Sequence, residues 1–143
     1  MGLDMYLYKK HYLWEKERRR LKITGITPSI KPERIERIIE NIGYWRKANA
    51  IHKWFVDHVQ EGEDDCKDYY VERDQLRDLL KLVKRVLQNH ELAPSLLPTQ
   101  EGFFFGDTEY GKYYFQDLEE TRRILEQALS EGAEGEIHYQ SSW

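Results

Sequence analysis

Residues 33–55, Glu33-Arg-Ile-Glu-Arg-Ile-Ile-Glu-Asn-Ile-Gly-Tyr-Trp-Arg-Lys-Ala-Asn-Ala-Ile-His-Lys-Trp-Phe55, decide how much of this chain is helix. Ile35, Ile38, Ile39 and Ile42 stand at i, i+3, i+4 and i+7, the spacing of one helix face. That spacing predicts a helix over 33–42, with Pro32 in its first turn and Gly43 ending or bending it. A longer helix is predicted over 44–60. At 100° per residue, Tyr44, Ala48, Ile51, Phe55 and Val59 share one face, with Arg46, Lys53 and Asp57 opposite. Trp45, Asn49 and His52 then line one flank; Lys47, Trp54 and His58 line the other.

On the N-terminal side, Leu3, Met5 and Leu7 alternate with Asp4, Tyr6 and Tyr8, the period of a half-buried strand. Residues 9–20 read as an exposed connection or hairpin arm, and the alternation over 21–26 as a second strand. On the C-terminal side come an acidic loop at 61–68 and a short strand at 69–71. The clearest helix is 73–89, striped by Leu76, Leu79, Leu80, Val83, Val86 and Leu87. A loop with Pro94 and Pro98 follows, and then Phe103-Phe104-Phe105 between Gly102 and Gly106, read as a packed strand or turn. The last helix is expected over 112–131, and a closing strand over 136–140, beside the first. Together these predict an α+β fold: mainly helical, three to four helices against a small antiparallel sheet, with 1–143 as a single domain.

Composition narrows the function classes. No apolar run approaches the roughly 20 residues that cross a bilayer, and MGLDMYLYKK has no signal-peptide core, so no membrane partner is expected and the cytoplasm is the expected compartment. A lone Cys66 forms no internal disulfide, and Asp65 and Lys67 place it in an acidic loop that disfavours its thiolate. His52 and His58 are six apart and lack zinc-helix spacing, and Asp64-Asp65 lacks EF-hand spacing, so no metal is expected. Phosphate-loop, dinucleotide-binding and hydrolase signatures are missing; neither a catalytic residue nor a cofactor is assigned, and enzyme activity is left open with the balance toward none.

The net charge of −4 conceals an asymmetry. Residues 1–60 hold 13 Lys/Arg against 7 Asp/Glu, and residues 61–143 hold 9 against 19. Either the two halves pack charge to charge, or one forms a basic pocket or an acidic docking face. The block Tyr44–Phe55 combines four aromatics with three fixed cations, an Asn and a His. Aromatic faces stack bases, Arg and Lys meet phosphate, and Asn and His read polar edges. The candidate ligand-binding set is therefore Trp45, Arg46, Lys47, Asn49 and His52, with Thr99, Gln100 and Phe105 at a pocket rim. The competing reading of the block is an amphipathic helix whose Trp45 and His52 are core residues with polar partners. A chain of net −4 repels a long polyanion, so the expected partner is a small anionic nucleotide and not extended nucleic acid. Arg46 and Lys47 point to different helix flanks, which a homo-oligomer would reconcile.

Four blocks also carry a resemblance: Gly2-Leu-Asp-Met-Tyr-Leu7, Tyr44–Phe55, Leu97-Pro-Thr-Gln100 with Gly102-Phe-Phe-Phe-Gly106, and Tyr139-Gln-Ser-Ser-Trp143. In combination they resemble a family of small bacteriophage and prophage proteins without a settled activity. The resemblance implies a phage origin, action in the host bacterial cytoplasm, and by context an accessory role such as anti-defence. Two modes fit that context: sequestration of a nucleotide signal, or inhibition of a host protein through Asp64, Asp65, Asp68, Glu119 and Glu120. A third reading is an enzyme acting on a nucleotide-like metabolite.

Overall fold

The computed structural model describes residues 2–26 and 28–143. The fold is α+β. Strands β1 (Asp4–Tyr12), β2 (Arg37–Arg46), β3 (Tyr69–Val71) and β4 (Glu136–Ser142) form one antiparallel sheet in the order β2-β1-β4-β3. Helices α1 (Glu15–Arg20), α2 (Asn49–His58), α3 (Arg73–Gln88), α4 (Ala93–Leu96) and α5 (Lys112–Ser130) complete the described elements, with single 3-10 turns at Pro32–Arg34 and His90–Leu92. No helix among the described residues is long and apolar enough to cross a membrane.

The alternation over residues 3–8 puts Leu3, Met5 and Leu7 on one sheet face, all fully buried, beside Ile137 and Tyr139 of β4. Helices α2, α3 and α5 cover this face. Phe55 of α2 stacks on Tyr139 at 3.9 Å between ring centroids, and Leu76, Leu79, Val83 and Val86 of α3 join Leu118, Ile124 and Leu125 of α5 in the same apolar cluster. The opposite face carries Tyr6, Tyr8 and Tyr44, with Tyr6 and Tyr8 stacked at 5.7 Å.

The helix expected over 33–42 is instead a 3-10 turn at its start and strand β2 from Arg37 onward, and the one expected over 44–60 loses 44–46 to the same strand and is reduced to 49–58. β2 pairs along its length with β1, Met5 opposite Trp45 and Tyr12 opposite Arg37. Four β-branched isoleucines favour a pleated backbone as strongly as their spacing favours a helix, and a partner strand supplied by β1 decides between them. Gly43 has a role unrelated to helix ends. It faces Leu7 under α5, where a Cβ would sit 2.6 Å from Ile124 Cγ2, so only glycine lets the helix approach. Register slips between Leu7 and Tyr8, which leaves Ile42 as a bulge residue.

Other expectations also change. Residues 9–12 prolong β1, residues 15–20 form α1, and no strand forms over 21–26. There are five helices among the described residues, one more than the upper expectation, because α1 and α4 are short turns without a long apolar stripe. Phe103-Phe104-Phe105 is a turn whose Phe103 is 94% exposed, while Phe105 alone is buried. The short strand at 69–71, the helices near 73–89 and 112–131 and the closing strand beside the first all form where expected.

The two charge halves do meet. Lys9 pairs with Glu131 and Lys10 with Asp68. The lysines are nearly buried, so their charges need these partners.

Candidate functional site

The turn from β2 into α2 builds one wall of a cavity of about 400 Å³. Lys47 sits in this turn with φ +56°, in the left-handed region that non-glycine residues enter at a cost. Its amide donates to Leu3 O at 2.8 Å, and its carbonyl accepts from Asn49 N at 2.9 Å, which fixes the turn. Arg46, Lys47, Ala48, Asn49, Ala50 and Ile51 thus run along the cavity at the positive end of the α2 dipole. Opposite stand Tyr113 and Asp117 of α5, and the loop before α5 adds Asp107 and Glu109.

These groups differ in their commitments. The Arg46 guanidinium donates to Asp4 at 2.8 Å, and the Tyr44 hydroxyl donates to the same carboxylate. The hydroxyl above all, and Arg46 with it, hold the Asp4 carboxyl below its ordinary range. No carboxylate among the described residues lies within salt-bridge reach of the Lys47 ammonium, and its side chain is exposed against Gly106. Tyr113 offers a ring that is 71% exposed. Burial pushes Asp117 up to about 7, so its carboxyl is shared between protonated and ionised forms near neutrality.

The eight residues proposed from sequence separate into three groups. Arg46, Lys47, Asn49 and Thr99 line the cavity just described. His52, Gln100 and Phe105 line a second cleft of about 520 Å³, with Phe103, Phe104 and Trp143. Trp45 lines neither: it is 3% exposed, its indole N–H donates to Thr121 Oγ1 at 2.8 Å, and its ring packs on Phe55. Its faces are therefore closed to a stacking base.

Asn49 and His52 act inside the protein as well. The Asn49 amide donates to Phe105 O and Asp107 O at 2.9 Å each, and accepts from Gln100 N at 2.9 Å. All three bonds hold the loop 99–107 against α2, so Asn49 positions the wall between the two cavities. Thr99 Oγ1 donates to Thr108 O at 3.0 Å and serves the same loop. His52 is fully buried, and burial lowers its pKa against the opposing pull of Asp64. The neutral ring then donates from Nε2 to Asp64 at 3.0 Å and accepts at Nδ1 from the Tyr139 hydroxyl at 2.6 Å, leaving no nitrogen for a ligand. Burial also raises Tyr139, which keeps that hydroxyl protonated.

Sequence reasoning missed Tyr113 and Asp117. Both lie some seventy residues beyond Lys47 on a different element, and only a carboxylate near the apolar stripe of α5 hinted at either. The acidic residues proposed as a docking face are largely engaged. Asp64 also accepts from Trp143 Nε1 at 3.0 Å, Asp65 binds Tyr69, Asp68 binds His138, and Glu119 and Glu120 pair with Arg122 and Arg123. Among the described residues no group of three or more His, Cys, Asp or Glu is placed to hold a metal. No family model matches the chain, and no curated protein or solved structure matches it either.

Proposed function

We propose that this is a phage-type accessory protein that captures a small anionic nucleotide without chemical turnover, in the cavity between the β2–α2 turn and α5. The observation that carries the reading is the pairing across that cavity of the exposed Lys47 ammonium and the α2 N-terminus with the open Tyr113 ring. In this arrangement Lys47 and Arg46 meet phosphate, Tyr113 stacks on the base, and Asp107 or Asp117 accepts N–H groups of the base edge. The size suits such a ligand, since small-molecule pockets begin near 300 Å³. His52, which lines the neighbouring cleft, is closed by Tyr139 and Asp64 and supplies no base to a turnover reading. The reading by inhibition of a host protein through acidic side chains is weaker, since those side chains already have internal partners. Action in the host cytoplasm belongs to this proposal.

Calorimetry with mononucleotides, cyclic mononucleotides and cyclic dinucleotides tests it. One of these classes binds with a dissociation constant in the micromolar range or below, Lys47→Ala and Tyr113→Ala each weaken it at least about tenfold, and the ligand is recovered intact after heat denaturation. Silence across the whole panel with protein at tens of micromolar refutes the proposal; a chemically altered ligand moves it to the enzyme reading.

A further inference from the structure

From His11 to Ile42 no described residue is buried. The segment is nonetheless rich in large apolar side chains: Tyr12, Trp14, Ile26, Ile30, Ile38 and Ile39 are all exposed, Trp14 at 76%. Ordering a residue costs about 1–2 kcal/mol of backbone entropy, and burial is the usual compensation. Here the compensation in view is local: the β1–β2 ladder, Leu13 N donating to Glu36 O, and the Glu17 carboxylate accepting from Trp14 N. β4 leaves β1 after Lys10, so beyond that point the arm is a two-stranded ribbon, marginal by itself in water.

The sheet's two edges contrast. β3, at one end, has three residues, the short type of edge that resists pairing. β2, at the other, has ten, and the run Arg37–Asn41 before the bulge is exposed throughout and carries adjacent isoleucines. We propose that this free β2 edge and the arm around it join two copies of the chain, with β2 pairing antiparallel to its own counterpart about a two-fold axis. A second copy is the occupant the charges fit. Residues 13–40 hold 8 Lys/Arg against 5 Asp/Glu, while the rest of the chain holds 14 against 21, so a basic arm meets an acidic body. The edge strand itself carries both signs, Arg37 and Glu40, which suits self-pairing better than a polyanion of one sign. Antiparallel pairing about a two-fold keeps each sheet face on its own side. Tyr12 and Ile39 would then extend the open tyrosine face across the axis, with Ile38 adding cover on the other side. None of residues 37–41 lines the nucleotide cavity.

Sedimentation velocity and light scattering on the full chain at about 50 µM test the proposal. The wild type is expected at twice 17.3 kDa, and Ile38→Lys with Ile39→Lys at 17.3 kDa with an unchanged far-UV spectrum. A wild type monomeric at that concentration, or a double variant that stays dimeric, overturns it. Hydrogen exchange of the wild type decides independently of any variant. Protection of amides 37–41 that rises with protein concentration supports the pairing, and concentration-independent exchange there overturns it.

Discussion

Trp45 and Trp14 are the same residue in two regions of opposite design. Trp45 sits where β2 lies under α5, 3% exposed, its indole bonded to Thr121 and its ring against Phe55. Trp14 starts α1 on the arm, 76% exposed, with only its backbone engaged. One strand, β2, belongs to both regions: its C-terminal half is held by packing, its N-terminal half by a ladder alone. Regular backbone hydrogen bonding therefore does not distinguish a stable region from one awaiting a partner; side-chain burial does.

The largest effect should come from the tryptophans themselves. Trp45→Ala empties the space between β2 and α5 and leaves Thr121 without its indole partner, costing about 3–5 kcal/mol in urea unfolding. Trp14→Ala should lie within about 0.5 kcal/mol when unfolding is followed on the monomer. Equal losses would erase the distinction between body and arm.

Gly43→Ala sharpens the boundary inside β2. The added methyl meets Ile124 at 2.6 Å, so α5 or the strand must move, at about 1–3 kcal/mol. Glu40→Ala, three residues away on the exposed half of the same strand, should cost less than about 1 kcal/mol, since its exposed pairing with His11 contributes little. Denaturation midpoints of the two variants check the contrast.

These residues also explain what was readable in advance. Helix α3 was legible because Leu76, Leu79, Val83 and Val86 form a stripe that only helix geometry can bury on one side. β2 was misread because the same isoleucine spacing is compatible with helix and strand, and the arbiter, β1, lies thirty residues earlier. The strand alternation of β1 and its neighbour β4 was legible because each buries alternate residues. Of the candidate site, Lys47, Arg46 and Asn49 were legible as a local cluster of cations and polar groups, and Thr99 separately as a polar residue at a pocket rim. Their division of labour was not: the bonds that make Asn49 a clamp come from residues 100–107, and the aromatic and acidic wall comes from α5. Asn49→Ala tests that division. It removes three hydrogen bonds from the loop, with an expected loss of about 1–3 kcal/mol and faster hydrogen exchange confined to residues 99–107.

The one gain should come at Asp117. Its carboxyl lines the cavity wall, and burial lifts it to about 7 from an ordinary value of 3.8. Between those values the folded protein holds a proton that the unfolded chain has released, so stability is greatest below about 4 and declines as pH rises toward 7, after which this contribution is flat. Asp117→Asn removes the ionisation. The variant should gain about 1–2 kcal/mol over the wild type at pH 8, discounted because the carboxylate lines an open cavity, and should lose that advantage near pH 4. Urea midpoints at the two pH values give the difference directly. The same substitution should flatten the pH dependence of nucleotide affinity. In the wild type, protonation of Asp117 between pH 8 and pH 6 removes a negative charge from a site that also faces Arg46, Lys47, Asp107 and Glu109, so an anion binds more tightly as pH falls. If binding is equally steep in the variant, the anion lies elsewhere than in this cavity.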